Sequence, residues 1–358
     1  MTDLLYSDTE DDLRSAVRSL LAARAGTRTL LDRVESGDPY VPGLWNSLAG
    51  DIGAAGLLVP EKLGGQGASH REAAVVLEEL GRAVTPAPYL TSAVIATETL
   101  LALDTGNAPV AELLSGLASG RTVAVLALPL STAPDGEQIV TGTANGVADA
   151  VLADVLLVPR PDGLYAVPAA DAAVEPQTPL DLTRPLARVT SGSASGTRLA
   201  DAGPSRAAVR RGLLTGAGLL ASEQLGLAEW CLEETVRHTR ERYQFNRPVG
   251  SFQALKHRMA QLWLEIVNAR AAARAAADAL ATESPDTALT VAVAQAYCSK
   301  VAVRAAEECV QLHGGIGMTW EHPAHLALKR AKSDQIALGS AGSHQDAIAE
   351  LMDLPAPA

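Results

Sequence analysis

Polar and apolar positions divide the chain into three textures. Ser7-Asp8-Thr9-Glu10 has the form of a capping box, a hydroxyl with a carboxylate three residues on. Leu13, Val17, Leu20 and Leu21 follow it at helical spacing. Ser69 to Glu72 repeats the cap ahead of Val76, Leu77 and Leu80, and Gly81 supplies a stop. Between them, glycines and prolines make residues 56–67 a loop, and Thr85-Pro86-Ala87-Pro88 is a second break. Helical spacing resumes over 90–103 and 107–117, so residues 1–120 are expected to form an N-terminal α-helical domain.

Short β-branched and aliphatic runs follow at Thr122–Leu128, Ile139–Thr141, Ala150–Val158, Leu164–Val167 and Leu186–Thr190, separated by Gly, Pro, Asp and Ser. Such spacing predicts a small antiparallel β-barrel or sandwich over residues 121–203, with 192–203 as a turn-rich exit. From Ser205 the pattern is helical again. Phe252, Leu255, Met259, Leu262, Ile266, Ala269, Ala273, Ala276 and Leu280 step by three and four, the stripe of a bundle helix. Ser284-Pro285-Asp286 starts the next helix, which runs through Gln311 and His313 to Gly314. A last helix is expected to stop at Leu338-Gly339-Ser340, so residues 204–358 read as a C-terminal four-helix bundle. The helix over 205–240 carries Gly212, Gly216, Gly218 and Gly226, each costing up to about 1 kcal/mol against Ala. Close approach by another helix or a ligand, or a loose helix, would account for them.

Composition narrows the function. Aromatic residues make up 3% and apolar residues 47%, so the cores must be aliphatic and alanine-rich. A net charge of -12 argues against a nucleic-acid or anionic-membrane partner. With no leader pattern and no apolar run of spanning length, the expectation is a soluble cytoplasmic protein without membrane insertion. Cys231, Cys298 and Cys309 lie in helical patterns without metal spacing and read as buried free thiols.

Candidate chemistry is concentrated in two places. Arg242-Tyr243-Gln244-Phe245, followed by Phe252-Gln253, precedes the long stripe, and Gln311-Leu312-His313-Gly314-Gly315-Ile316-Gly317 ends the next helix. Each has a plain structural reading: glycines at a helix C-terminus, a solvated charge beside Arg237 and Arg240, and a phenylalanine anchored in a core. The glycines do not form a Rossmann fingerprint, because they follow a helix rather than a strand. In combination, and in the order helical domain, β domain, helical bundle, these motifs resemble the acyl-CoA dehydrogenase family. The resemblance spans essentially the whole chain and is strongest from Leu213 to Gly317.

The resemblance implies FAD as cofactor, an acyl-CoA or other acyl thioester as substrate, and α,β-dehydrogenation. It implies that Arg242 reaches the FAD pyrophosphate, that Phe245 packs near the adenine, and that Gln311, Gly314 and Gly315, with Gln244 beside Phe245, complete the ADP side. In the family these residues serve the flavin of a neighbouring subunit. Asn246 stands where the family usually has glycine. The usual catalytic glutamate position is Leu338, and the alternative position falls near Gly216, neither an acid. The nearest carboxylates in the helix of Gly216 are Glu223 and Glu229; Glu223, two turns or about 10 Å from Gly216, is the candidate, against the plainer reading of a solvated or paired helix carboxylate. Glu321 is expected to cap the next helix. The family's ring-side Thr-Glu-Pro-Gly-x-Gly-Ser loop is replaced by Leu126-Ala127-Leu128-Pro129-Leu130-Ser131-Thr132, and the Trp-Ile-Thr segment by Gly146-Val147-Ala148-Asp149.

Three functions fit. The first is the incomplete subunit of a heteromeric, actinobacterial-type acyl-CoA dehydrogenase, whose paralogous partner supplies the base, as in steroid side-chain members. The second is an autonomous homo-oligomeric dehydrogenase with a displaced base. The third is an acyl-thioester-binding or structural subunit without flavin.

Overall fold

The computed structural model describes residues 4–136, 139–192 and 195–355. Both predicted capping boxes form. Ser7 caps α1 (Asp8–Arg24) with Glu10 reaching back, and Ser69 caps α4 (His70–Arg82) with Glu72. α2 (Thr27–Ser36) and a single turn, α3 (Leu44–Asn46), lie between them. The 56–67 segment is a pair of 3₁₀ turns tied by Gln66 N–H to Gly56 O at 2.9 Å. α4 is buried from Ala73 through Gly81 and packs between α1 and the central helix. The expected helix over 90–103 begins as a π-helix, Tyr89–Ala96, buried at every position, and continues as α5 (Thr97–Leu101). α6 (Ala108–Ala118) closes the helical region with proline in its first turn.

Seven strands follow: β1 (Ala124–Leu126), β2 (Thr143–Ala148), β3 (Val155–Arg160), β4 (Gly163–Pro168), β5 (Ala173–Gln177), β6 (Leu186–Thr190) and β7 (Thr197–Asp201). They form two open sheets, β1-β3-β4-β7 and β2-β6-β5. All their pairings are antiparallel except β1 with β3, which is parallel. The turn-rich exit read at 192–203 is corrected: β7 occupies it, and the next helix starts at Ala202. β7 escapes the pattern because only Leu199 of its five residues is buried.

α7 (Ala202–Glu241) is the long central helix, and α8 (Gln253–Ala281) and α9 (Thr287–His313) pack along it. The α8 stripe is buried from Leu262 onward, and its first turns are partly open. The glycines of α7 meet protein. A Cβ at Gly226 would overlap the Glu78 carbonyl of α4, and one at Gly218 would come within 2.7 Å of Leu280. The last element is also corrected. α10 (Ala324–Asp334) ends four residues before Leu338, and a further helix, α11 (Ala341–Leu351), is capped by Ser340. The three cysteines are buried and free, as expected. Among the described residues, no helix is long and apolar enough to cross a membrane.

Candidate functional site

At one end of the bundle the backbone turns twice. α7 runs into a two-residue hairpin, β8 (Tyr243–Gln244) and β9 (Arg247–Pro248), whose central residues Phe245 and Asn246 have φ of 51° and 59°. Two successive positive φ values are what a type I′ turn requires. Asn tolerates this conformation, so the turn forms without the usual glycine, while Phe245 holds it at a steric cost. The core reading of Phe245 is corrected: the ring is 86% exposed, meeting Phe252 edge-on at 6.1 Å. Phe252 in turn lies under the Arg247 guanidinium at 3.8 Å. Arg242 and Gln244 are exposed beside it. Whereas Arg237 is held by Glu234 and Glu241, the Arg242 side chain has no ion-pair partner among the described residues.

The second turn ends α9. Gly314 has φ 64° and ψ -138°, a conformation reserved for glycine. A Cβ at Gly314 or Gly315 would meet nothing within 4 Å, so both present bare backbone outward. Gln311 is exposed one turn back. The two turns share one end of the molecule. The Arg242 N–H donates to His238 O at 2.9 Å, and the His238 ring lies 4.2 Å from that of His313, next to Gly314. Among the described residues, Glu321 makes no cap for α10; the first-turn Ala324 N–H instead donates to His322 Nδ1 at 3.2 Å.

The interior differs. Leu338 is 1% exposed with φ 54°, and its N–H donates to Leu130 O at 2.7 Å. A Cβ at Gly216 would lie 2.6 Å from Ile95 and 3.2 Å from Leu338, so the two candidate base positions converge on one point. Ile95, Val125, Leu126, Leu128, Leu213 and Leu338 line what space remains, about 20 Å³. That is the scale of a single water, against several hundred Å³ for a ligand pocket.

The remaining carboxylate candidate is tied off. Glu223 is 2% exposed, and its Oε1 accepts from Arg184 and, at 2.7 Å, from Arg330. Arg330 also donates to Asp181 at 2.5 Å and to Thr183. Both guanidiniums are held on Glu223 Oε1 inside the fold, so the plainer reading of Glu223, a paired helix carboxylate, is the one its surroundings match. Helical spacing does not report this network, because its members come from the β5–β6 loop, α7 and α10.

The comparisons bear on the whole chain. The sequence model of the acyl-CoA dehydrogenase N-terminal domain matches residues 7–121, and that of the C-terminal domain matches 206–352. Acyl-CoA dehydrogenase IpdE2 of Mycobacterium tuberculosis is 39% identical over 319 residues, 89% of each chain. The chain belongs to the acyl-CoA dehydrogenase family. Among solved structures, butyryl-CoA dehydrogenase from Megasphaera elsdenii superposes with a TM-score of 0.88 at 20% identity, covering 98% of this chain and 100% of that one. The ChsE4-ChsE5 complex from Mycobacterium tuberculosis gives 0.84 at 27% identity over 100% of both chains. An acyl-CoA dehydrogenase is an oxidoreductase acting on CH–CH groups with FAD as cofactor.

Within this acyl-CoA dehydrogenase, fitness for FAD is divided. The exposed fork of Arg242 and the bare backbone at Gly314 and Gly315 suit an anionic phosphate group. The space beside Leu338 admits neither a flavin ring nor an acyl chain.

Proposed function

We propose that this chain is the base-lacking subunit of a heteromeric acyl-CoA dehydrogenase. It presents Arg242, Gln244, Phe245, Gln311, Gly314 and Gly315 to the ADP side of FAD bound in a paralogous partner. The partner provides the base and the ring pocket. The observation that carries this reading is Leu338, aliphatic and sealed against Leu130 at the family's base position, in a chain whose opposite rim stays open. The overlap with the ChsE4-ChsE5 complex, a structure of two different chains by its name, supports it.

In the assembled enzyme, FAD would accept hydride from the carbon β to the thioester. The work of this chain is binding. The Arg242 fork neutralises pyrophosphate charge, the glycine N–H groups approach it closely, and Phe245 offers an exposed ring to the adenine. No residue of this chain takes the proton.

The test is to purify the chain alone and co-expressed with a paralogue that retains the glutamate, and to measure flavin absorbance and acyl-CoA oxidation. The expected result is little flavin and no turnover alone, with both present in the complex. Stoichiometric FAD with full turnover from the lone chain would overturn the proposal. A complex that forms but lacks flavin would leave the chain a structural subunit.

A further inference from the structure

Beside the open rim lies a side-chain cluster that flavin binding does not use. Glu234 on α7, His313 at the end of α9 and His322 just before α10 each bring one ligand atom within 4.8 Å of the other two. Glu234 Oε1 lies 3.8 Å from His313 Nε2 and 3.7 Å from His322 Nε2.

His313 is the informative member. Its side chain is fully buried, and its Nδ1 sits 2.6 Å from the Cys309 carbonyl oxygen. That contact requires a proton on Nδ1, so in the neutral ring Nε2 is the lone pair. This Nε2 is buried and has no hydrogen-bond partner. A buried acceptor left unpaired costs about 1–3 kcal/mol, so its retention calls for a reason. An Nδ1–H held by a backbone carbonyl, with Nε2 free, is also the arrangement that orients a metal-ligating histidine.

We propose that Glu234, His313 and His322 bind one divalent first-row transition ion of the zinc class. Zn–N and Zn–O distances near 2.1 Å place tetrahedral ligand atoms about 3.4 Å apart. The two separations from Glu234 are within half an ångström of that, and the two histidine nitrogens, within 4.8 Å of each other, close the remainder by rotamer adjustment. Glu234 and His322 are 16% and 14% exposed at their side chains, so the ion has an entry path and water completes its coordination.

Two local interactions oppose binding, and both can be met. Glu234 also pairs with Arg237, through Oε2 to Nε at 2.9 Å and through Oε1 to Nη2 at 2.5 Å. The Oε2 contact can persist while Oε1 turns to the ion. His322 Nδ1 accepts from the Ala324 N–H at 3.2 Å, and ligation through Nε2 requires a proton there instead. That N–H is one of the first-turn donors that a helix leaves unpaired in any case. The His238 ring stacks on His313 and caps the cluster. A bound ion would tie the ends of α7 and α9 to the start of α10, about two turns from Arg242 and next to Gly314. The proposal does not depend on the division of labour between subunits.

The test uses the untagged full chain, stripped with a chelator and titrated with Zn²⁺ against a chromophoric competitor, with Co²⁺ absorption reporting geometry. One equivalent should bind with a tetrahedral-type visible spectrum. His322→Phe, which keeps a ring against His313 where the two imidazoles now lie 4.4 Å apart, and Glu234→Gln should each weaken binding at least about tenfold. His257→Gln, at an exposed histidine, should bind as the wild type does. Circular dichroism confirms that each variant is folded. Binding unchanged by both cluster variants, or no binding above theirs, would overturn the proposal.

Discussion

Leu338 and Arg242 are single residues with opposite surroundings, and each makes a prediction. Leu338 lies against Gly216 and Ile95 and bonds to Leu130, so Leu338→Glu would return a carboxyl to the family's base position inside an aliphatic seal. The charged form has no partner there. We expect a loss of about 2–4 kcal/mol in chemical denaturation and no acyl-CoA turnover by the lone chain, because the room for substrate is still missing. Turnover on this one change would mean that the pocket opens readily. Arg242 is exposed and makes no ion pair among the described residues. Arg242→Ala should leave stability within about 0.5 kcal/mol. In the heteromer it should weaken FAD retention about tenfold or more, the value of a charge-assisted hydrogen bond. Equal retention in the variant heteromer would remove Arg242 from the site. Glu223→Gln tests the third residue. Its carboxylate holds Arg184 and Arg330, so the expected effect is lost stability rather than lost proton abstraction. An assembled enzyme that keeps its fold and loses turnover would contradict that assignment.

Among the elements, the crossing of α4 and α7 is made by glycines from both sides. A Cβ at Gly81 would overlap the Glu223 carbonyl, and one at Gly226 the Glu78 carbonyl. Both obstacles are backbone and cannot rotate aside. Gly226→Ala should therefore cost about 2–3 kcal/mol by forcing the helices apart, despite the better helix propensity of alanine. Gly203→Ala, whose Cβ meets nothing within 4 Å, should be neutral or slightly stabilising. Thermal melts of the two variants decide it, and equal midpoints would show that the crossing yields. Local signals explain what was legible in the sequence. The capping boxes, the α8 stripe and the glycine stop of α9 are each set within a few residues. β5 was missed because most of its positions are exposed and it contains Pro176, and α11 because Gly339 reads as a final stop. The rim was legible for the same reason as the helices: Arg242 to Phe245 and Gln311 to Gly315 are contiguous motifs. The seal was not, because Leu130 and Leu338 meet only in the fold, and the partners of Glu223 lie 39 and 107 residues away.

The whole molecule is held across its layers by buried charge, and this makes its stability depend on pH. Asp181 and Arg184 from the β5–β6 loop, Glu223 from α7, and Arg330 and Asp334 from α10 set three carboxylates against two guanidiniums. One carboxylate is in excess. Burial, with the charge of Glu223 adding, pushes Asp334 up to about 8 against the pull of Arg184 and Arg330. At neutral pH the cluster is thus balanced by a proton. Burial and the charge of Glu229 likewise push Glu78 up to about 7. Between the ordinary carboxylate range and these values, the folded chain keeps protons that the unfolded chain has lost. Stability must fall as pH rises through that window, by on the order of 1 kcal/mol per pH unit for each group. Two other carboxylates act on the acid side. Burial raises Glu10 and Glu98, but hydrogen bonds from Arg71 and Ser7, and from His70 and Arg211, outweigh it and hold both below the usual value. Their contribution is present above the unfolded carboxylate pKa and is lost as pH falls through the folded one. Burial lowers His238, His322, His325 and His344, so their contribution grows as pH rises toward the ordinary histidine value of about 6.5 and opposes the decline below it. The thermal midpoint should therefore decline from about pH 6.5 toward pH 8. Asp334→Asn, which removes the excess acid, should flatten the alkaline side of that profile and leave the acid side unchanged. A wild-type midpoint that climbs from about pH 6.5 to 8, or a variant with the same alkaline slope, would show that the proton on this cluster is not what balances it.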